Sequence, residues 1–161
     1  MSNTAQYLTL GLEQETFGID IQHVREILDM CSISALPHAP DFLLGMIDVR
    51  GSGYPVVDLR LKLGLPRADA TPSTRIIILD VPVNGRRTGV GFVADRVFEV
   101  TNIDGNRIEP PPEVGGRWRS NYIAGIGRKG SNFVVIFDLE RLMGSDEPIL
   151  ALTEPLSSVA A

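Results

Sequence analysis

Apolar and polar positions alternate in short runs along most of the chain, each run interrupted by a glycine, a proline or an acidic residue. From 6 to 12 and from 15 to 20 the alternation predicts two strands, joined at Glu13 and Gln14 as an opening hairpin. Asp20 is a capping residue for IQHVREIL, where Ile21, Val24, Ile27 and Leu28 recur at helical spacing, so a helix of about two turns is expected there. The two prolines of CSISALPHAP forbid its continuation. Residues 46–49 and 54–58 read as strands joined through Arg50, Gly51, Ser52 and Gly53, and the polar stretch from Pro66 to Ser73 is the longest expected loop.

The firmest local signal is Asn84-Gly85 between two β-branched runs, because both positions of that dipeptide tolerate positive φ in a tight hairpin. Residues 97–100, 122–126 and 133–137 complete the strands, and the prolines at 110–112 make a stiff connector. Asp138 caps LERLM, with Gly144 placed to end it, and the tail from Ser145 is expected to dock a short helix and then fray. About nine or ten short strands with frequent turns and few helices argue for an all-β barrel or sandwich.

The length of 161 residues fits one domain or two very small ones, and 43% apolar residues supply a real core. Fifteen basic against 20 acidic residues give a net charge of −5, which repels phosphate backbones and makes nucleic acid an unexpected partner. No apolar stretch is long enough to span a membrane, and MSNTAQYLTLGLEQ has no signal-peptide pattern, so a cytoplasmic protein without membrane insertion is expected. The single cysteine, Cys31, excludes an intrachain disulfide and any multi-cysteine zinc site. His23, Cys31 and His38 match no standard zinc spacing, and no metal or other cofactor is expected.

GIGRKG, residues 125–130, matches the dinucleotide fingerprint in letters, but that motif presents a helix N-terminus to pyrophosphate, and here the strand-like SNFVVIFDL follows. No nucleophile elbow occurs; Ser52 stands in a G-S-G turn. Asp48, Asp58, Asp80, Asp95 and Asp138 sit at strand edges, where turn and cap roles account for them. Arg50 is different. Between an apolar run and a glycine, its guanidinium calls for a carboxylate partner, for which Glu26 is one candidate, or for a recognition role.

FGIDIQHVREIL, PHAPDFLLGMIDVRGSGYPVVDLRLKLGL, GVGFVADRVFEV, IEPPPEV and YIAGIGRKGSNFVVIFDLERLM, in that order, resemble the CheW family of chemotaxis coupling (adaptor) proteins over residues 6–143, leaving 144–161 as a tail. Where the family commonly has asparagine-leucine before the arginine-glycine pair, this chain has Asp48-Val49. The resemblance implies two intertwined SH3-like five-stranded β-barrels sharing one hydrophobic core, and no catalytic centre. It implies two partners, the cytoplasmic tip of chemoreceptors and the regulatory domain of the histidine kinase CheA, and recruitment to membrane-associated receptor arrays. Carried over by position, Val24, Glu26, Gly45, Arg50, Gly51, Thr74 and Arg75 form the receptor-contacting and surface-shaping set, and Ile33, Glu109, Pro110 and Val114 the kinase-contacting set. The rival readings are a CheW-like paralogue in another receptor–kinase system, such as motility or biofilm control, and a small nucleotide-binding enzyme built on GIGRKG.

Overall fold

The computed structural model describes residues 4–83, 86–104, 107–110 and 122–143. The expected turn at Asn84-Gly85, Pro111, Pro112, Val114, Gly144 and the tail lie outside the described residues. The described chain opens with β1 (Thr4–Leu12), β2 (Glu15–Asp20), a 3₁₀ turn (Ile21–His23), β3 (Val24–Asp29), β4 (Leu43–Val49) and β5 (Ser52–Asp58). It continues through α1 (Leu59–Lys62), β6 (Arg75–Val83), β7 (Arg86–Ala94), β8 (Arg96–Asp104), β9 (Ile123–Lys129), β10 (Asn132–Phe137) and α2 (Leu139–Met143).

Two five-stranded sheets result, ordered β8-β1-β2-β10-β9 and β3-β6-β7-β5-β4. Each closes on itself. Ser34, beyond β3, exchanges two backbone hydrogen bonds of 2.9 Å with Met46 on the opposite edge, and Glu109, beyond β8, does the same with Ile126 at 2.9 and 2.8 Å. Closure removes the exposed edges that a small sheet would otherwise offer to other chains. The second sheet is continuous in sequence and is called here the central barrel; the other, built from both ends of the chain, is the terminal barrel.

The barrels are two versions of one unit. In β4–β5, Gly45 pairs with Val56 and Met46 with Pro55, with a register shift next to Leu43; in β9–β10, Gly125 pairs with Ile136 and Ile126 with Val135, with the shift next to Phe137. Asp58 N–H donates to the Phe42 carbonyl and Asp138 N–H to the Tyr122 carbonyl, both at 2.7 Å. The parallel pairs also agree, Val56 facing Gly91 and Ile136 facing Gly18. Phe42, Gly45, Met46 and Asp58 stand at one constant sequence spacing from Tyr122, Gly125, Ile126 and Asp138.

The shared core expected between the barrels is present, and two smaller apolar clusters accompany it. The largest lies between the barrels and takes Leu8, Leu10, Leu12 and Ile19 from one side, Ile77, Leu79, Val90 and Phe92 from the other, and Leu59 and Leu142 from the two helices. Each such side chain contributes roughly 1.5–3 kcal/mol on burial. Phe17 and Phe137 stack within it at 5.0 Å. Two smaller clusters fill the barrel interiors, Tyr7, Ile103, Val134 and Ile136 in one, Ile47, Val56, Ile76 and Ile78 in the other. Outside the core, Arg60 of α1 ties the barrels electrostatically. Its guanidinium donates to Asp95 at 2.9 Å and to Glu13 in the β1–β2 turn at 2.6 Å, while Glu13 N–H donates to Asp95 at 2.8 Å. The hydrogen bond to Asp95 outweighs burial and holds the Arg60 pKa above its ordinary value.

The helix expected over IQHVREIL is not formed. Asp20 caps only one 3₁₀ turn, its side chain accepting from Gln22 N–H at 3.0 Å, and β3 begins at Val24. The side chains of β3 alternate between half-buried and exposed, because pairing with β6 rewards period-two alternation and the β-branched Val24 and Ile27 suit a strand. α1 is a second departure: Asp58 accepts from Arg60 and Leu61 N–H and starts a helix where none was expected.

Gly45 has φ of 149°, and a Cβ there would run into the Ser34 carbonyl that closes the central barrel. Gly45→Ala should therefore cost about 2–4 kcal/mol, combining backbone strain with overpacking, measured by denaturant unfolding. Burial, aided by Asp20, raises the Tyr7 pKa, and burial raises that of Tyr122. Since the unfolded tyrosines ionise near about pH 10, their contribution is complete below that pH and is lost as pH rises toward the folded values. The urea midpoint should fall above about pH 10, and less steeply in Tyr7→Phe.

Candidate functional site

Val49 pairs with Ser52, so the β4–β5 hairpin turns on just two residues, Arg50 and Gly51. Both have positive φ, 51° and 87°, the geometry of the tight hairpin turns whose twist matches the flanking strands. Asp48 accepts from Gly51 N–H at 2.8 Å and locks the turn, so the acid found in place of the commoner asparagine does a cap's work. Gly51 meets nothing within 4 Å of an added Cβ; its φ, not space, asks for glycine.

From this tip Arg50 reaches across to Glu26 on β3 in a two-pronged ion pair, Nη1 lying 3.2 Å from Oε2 and Nη2 against Oε1. The Arg50 side chain stays 75% exposed, whereas that of Glu26 is only 28% exposed. A register shift between Val24 and Glu26, centred on Arg25, re-aims β3 and separates Val24, which packs on the inter-barrel core, from Glu26 at the barrel mouth. The mouth is a cavity of about 340 Å³ lined by Arg25, Glu26, Arg50, Ser52, Tyr54 and Ile78. Tyr54 lies over Gly89 of β7 and partly fills it.

The structure thus brings Glu26, Arg50 and Gly51 together. Gly45 is buried beneath Ser34 and shapes the barrel from within. Thr74 precedes β6 and Arg75 begins it, where Arg75 faces Asp29 instead of Glu26. Thr74 is buried and its hydroxyl accepts from Thr71 N–H at 2.8 Å; Arg75 donates to the Pro72 carbonyl at 2.8 Å and pairs with the exposed Asp29 at 3.4 Å. Of the second set, Ile33 packs against the interior cluster of the central barrel, and Glu109 is exposed beside Pro110. Ile33 and Glu109 therefore both lie in the closing segments, one on each barrel. Arg25, Tyr54 and Ile78 were not singled out from the sequence; an arginine within alternating VREI was the one signal available.

The other sequence motifs resolve into structure. GIGRKG runs along β9 into the hairpin turn at Gly130, φ 62°, and strand β10 follows, so the helix N-terminus a nucleotide site needs is replaced by a turn. His23 Nδ1 lies 3.1 Å from the Asp80 carbonyl, and no group of three or more metal-ligating side chains converges among the described residues. Asp58 and Asp138 cap helices, Asp80 pairs with Arg87 at 3.4 Å and Asp95 holds Arg60. No described helix is long and apolar enough to cross a membrane.

Known proteins share this arrangement. The profile of the family described as a CheW-like domain matches residues 6–147. The chemotaxis protein CheW of Klebsiella aerogenes is 32% identical over 145 residues, covering 90% of this chain and 85% of that one. A probable chemotaxis protein CheW of Rhizobium etli is 30% identical over 142 residues, covering 88% and 89%. The crystal structure of the scaffolding protein TtCheW from Thermoanaerobacter tengcongensis matches with a TM-score of 0.78 at 32% identity, covering 91% of this chain and 95% of that one. With the profile spanning nearly the whole fold, and with the two closed sheets shared by a solved relative, the chain belongs to the CheW-like family.

Proposed function

We propose that the protein is a noncatalytic adaptor that couples the cytoplasmic tip of chemoreceptors to the regulatory domain of the histidine kinase CheA. The observation that carries the receptor side is Arg50. An L-residue in left-handed backbone costs about 1–2 kcal/mol, and glycine would make the same turn without strain. Nor does folding need the side chain, since an ion pair this exposed adds about 0–1 kcal/mol. The fold therefore bears a cost to hold a cation outward at a rigid tip, with Glu26 fixing its direction. Such a group suits a carboxylate on an incoming helix, and Gly51 beside it leaves room for close approach.

Ile33, Glu109, Pro110 and Val114 supply the kinase face. Ile33 and Glu109 lie in the closing segments, one on each barrel, with Pro110 beside Glu109. Two partners can then be held at once, and many modest contacts sum through multivalency in an array. Signal passes only where receptor states differ in their affinity for the adaptor or for its complex with the kinase. In a cell such a protein would be cytoplasmic and concentrated at receptor clusters.

The test uses Arg50→Gly, which relieves the turn and deletes the guanidinium. Its unfolding free energy should stay within about 1 kcal/mol of the parent, while co-sedimentation with receptor-bearing membranes and activation of CheA should fall about tenfold or more. Undiminished recruitment by this variant would remove Arg50 from the receptor contact. A double-mutant cycle on recruitment with Glu26→Gln should give coupling of about 0.5–3 kcal/mol, and strict additivity would mean that Glu26 does not aim Arg50.

A further inference from the structure

Register extends the barrel equivalence to the mouth. In the central barrel Val24 pairs with Leu79, Glu26 with Ile78 and Ile27 with Ile77, with the shift at Arg25. In the terminal barrel Val97 pairs with Leu10 and Val100 with Leu8, and Glu99 N–H and carbonyl both meet the Thr9 hydroxyl, at 3.2 and 2.7 Å, inside the corresponding shift. VFEV therefore occupies the place of VREI. The hairpin correspondence of β4–β5 with β9–β10 sets Gly130 at the place of Arg50 and Lys129 at that of Val49, so the cation moves one residue back onto the strand, and from there Lys129 pairs with Glu99. The acid–base clasp across the barrel mouth is present twice.

The two mouths differ in polarity and in filling. At the central mouth the exposed partner is the cation, whereas at the terminal mouth the carboxylate of Glu99 is 60% exposed and Lys129 only 38%. Arg25 is replaced by Phe98, which is 49% exposed although the shared core holds many fully buried side chains. Tyr54 is replaced by Val134, and the cavity, lined by Thr9, Phe98, Lys129, Asn132 and Val134 among others, is larger, about 440 Å³. Nearby cations are engaged elsewhere than on Glu99: Arg96 donates to the Glu13 carbonyl at 3.0 Å and flanks the Phe98 ring at 5.8 Å, and Arg128 lies on the opposite face of β9, over Phe133 at 4.8 Å.

We propose that the mouth of the terminal barrel is a second docking site, whose occupant is an amphipathic helix of a partner protein that inserts an aliphatic side chain beside Phe98 and sets a lysine or arginine against Glu99. The helical form of the occupant rests on the reading of the Arg50 mouth as a helix-docking site. Its charge and its apolar knob follow from Glu99, Phe98 and the open cavity. Opposite polarity at equivalent mouths keeps the two helices from exchanging places, since each would bring a like charge to the wrong clasp.

The experiment titrates the isotope-labelled full chain with three stapled helical peptides, one with a leucine flanked by lysines, one with the lysines changed to glutamates, and one with the leucine changed to alanine. The lysine–leucine peptide should shift the signals of Thr9, Phe98, Glu99, Lys129 and Val134. Its affinity should drop about tenfold in Glu99→Gln or Phe98→Ala and on changing leucine to alanine. In the Arg50→Gly chain the same titration should be unchanged, so a failed receptor reading and a failed second site give separate signatures. Absence of shifts at the terminal mouth, or equal binding by the glutamate peptide, overturns the proposal.

Discussion

The apolar layer between the barrels is the constraint on which the molecule depends. Each barrel interior holds a small cluster, too little by itself for a stable domain of this size, while the layer between them gathers strands of both sheets and both helices. α2 follows β10 of the terminal barrel yet packs on β6 of the central one. Because the chain leaves the terminal barrel after β2 and returns to it at β8, that barrel is assembled around the contiguous central one. The mouths are consequently held in fixed relation by the layer between them.

The matching registers of the two barrels place the same structural features at matching positions. A closing bridge, an ion pair from β3 or β8 to the neighbouring hairpin and an aspartate-capped helix each occur once per barrel, at Ser34, Arg50 and Asp58 and again at Glu109, Lys129 and Asp138, with Lys129 one residue before the tip. What changed between copies is what faces outward. Tyr54 against Val134 and Arg25 against Phe98 alter the floor and wall of a mouth whose backbone is the same, so specificity was adjusted without disturbing closure.

The hairpins were readable because their determinants are local. Glu13-Gln14, Arg50-Gly51 and the flanks of Asn84-Gly85 all join strands that pair in the expected order. β3 was misread because Ile21, Val24, Ile27 and Leu28 do stand at helical spacing; only pairing with β6 and the shift at Arg25 show that the same spacing serves an edge strand. The parallel pairs β5–β7 and β10–β2 leave no sequence signature, since they are made by chain segments far apart. For the same reason Glu26 and Arg50 could be matched by charge and by resemblance, whereas Tyr54 and Ile78 converge on them only after the central barrel has closed.

An exposed ion pair contributes little to stability, so the repetition of one across both mouths asks for a reason beyond folding. A lone surface arginine samples many rotamers, and a partner must then supply the entropy of ordering it. Clasped to a carboxylate across the barrel mouth, and mounted on a two-residue turn, it meets the partner already oriented. The clasp also sets which charge remains available, the cation where the carboxylate is half-sheltered and the anion where the lysine is. On a repeated frame, small differences in side-chain exposure thus leave the same ion pair presenting a cation at one mouth and an anion at the other.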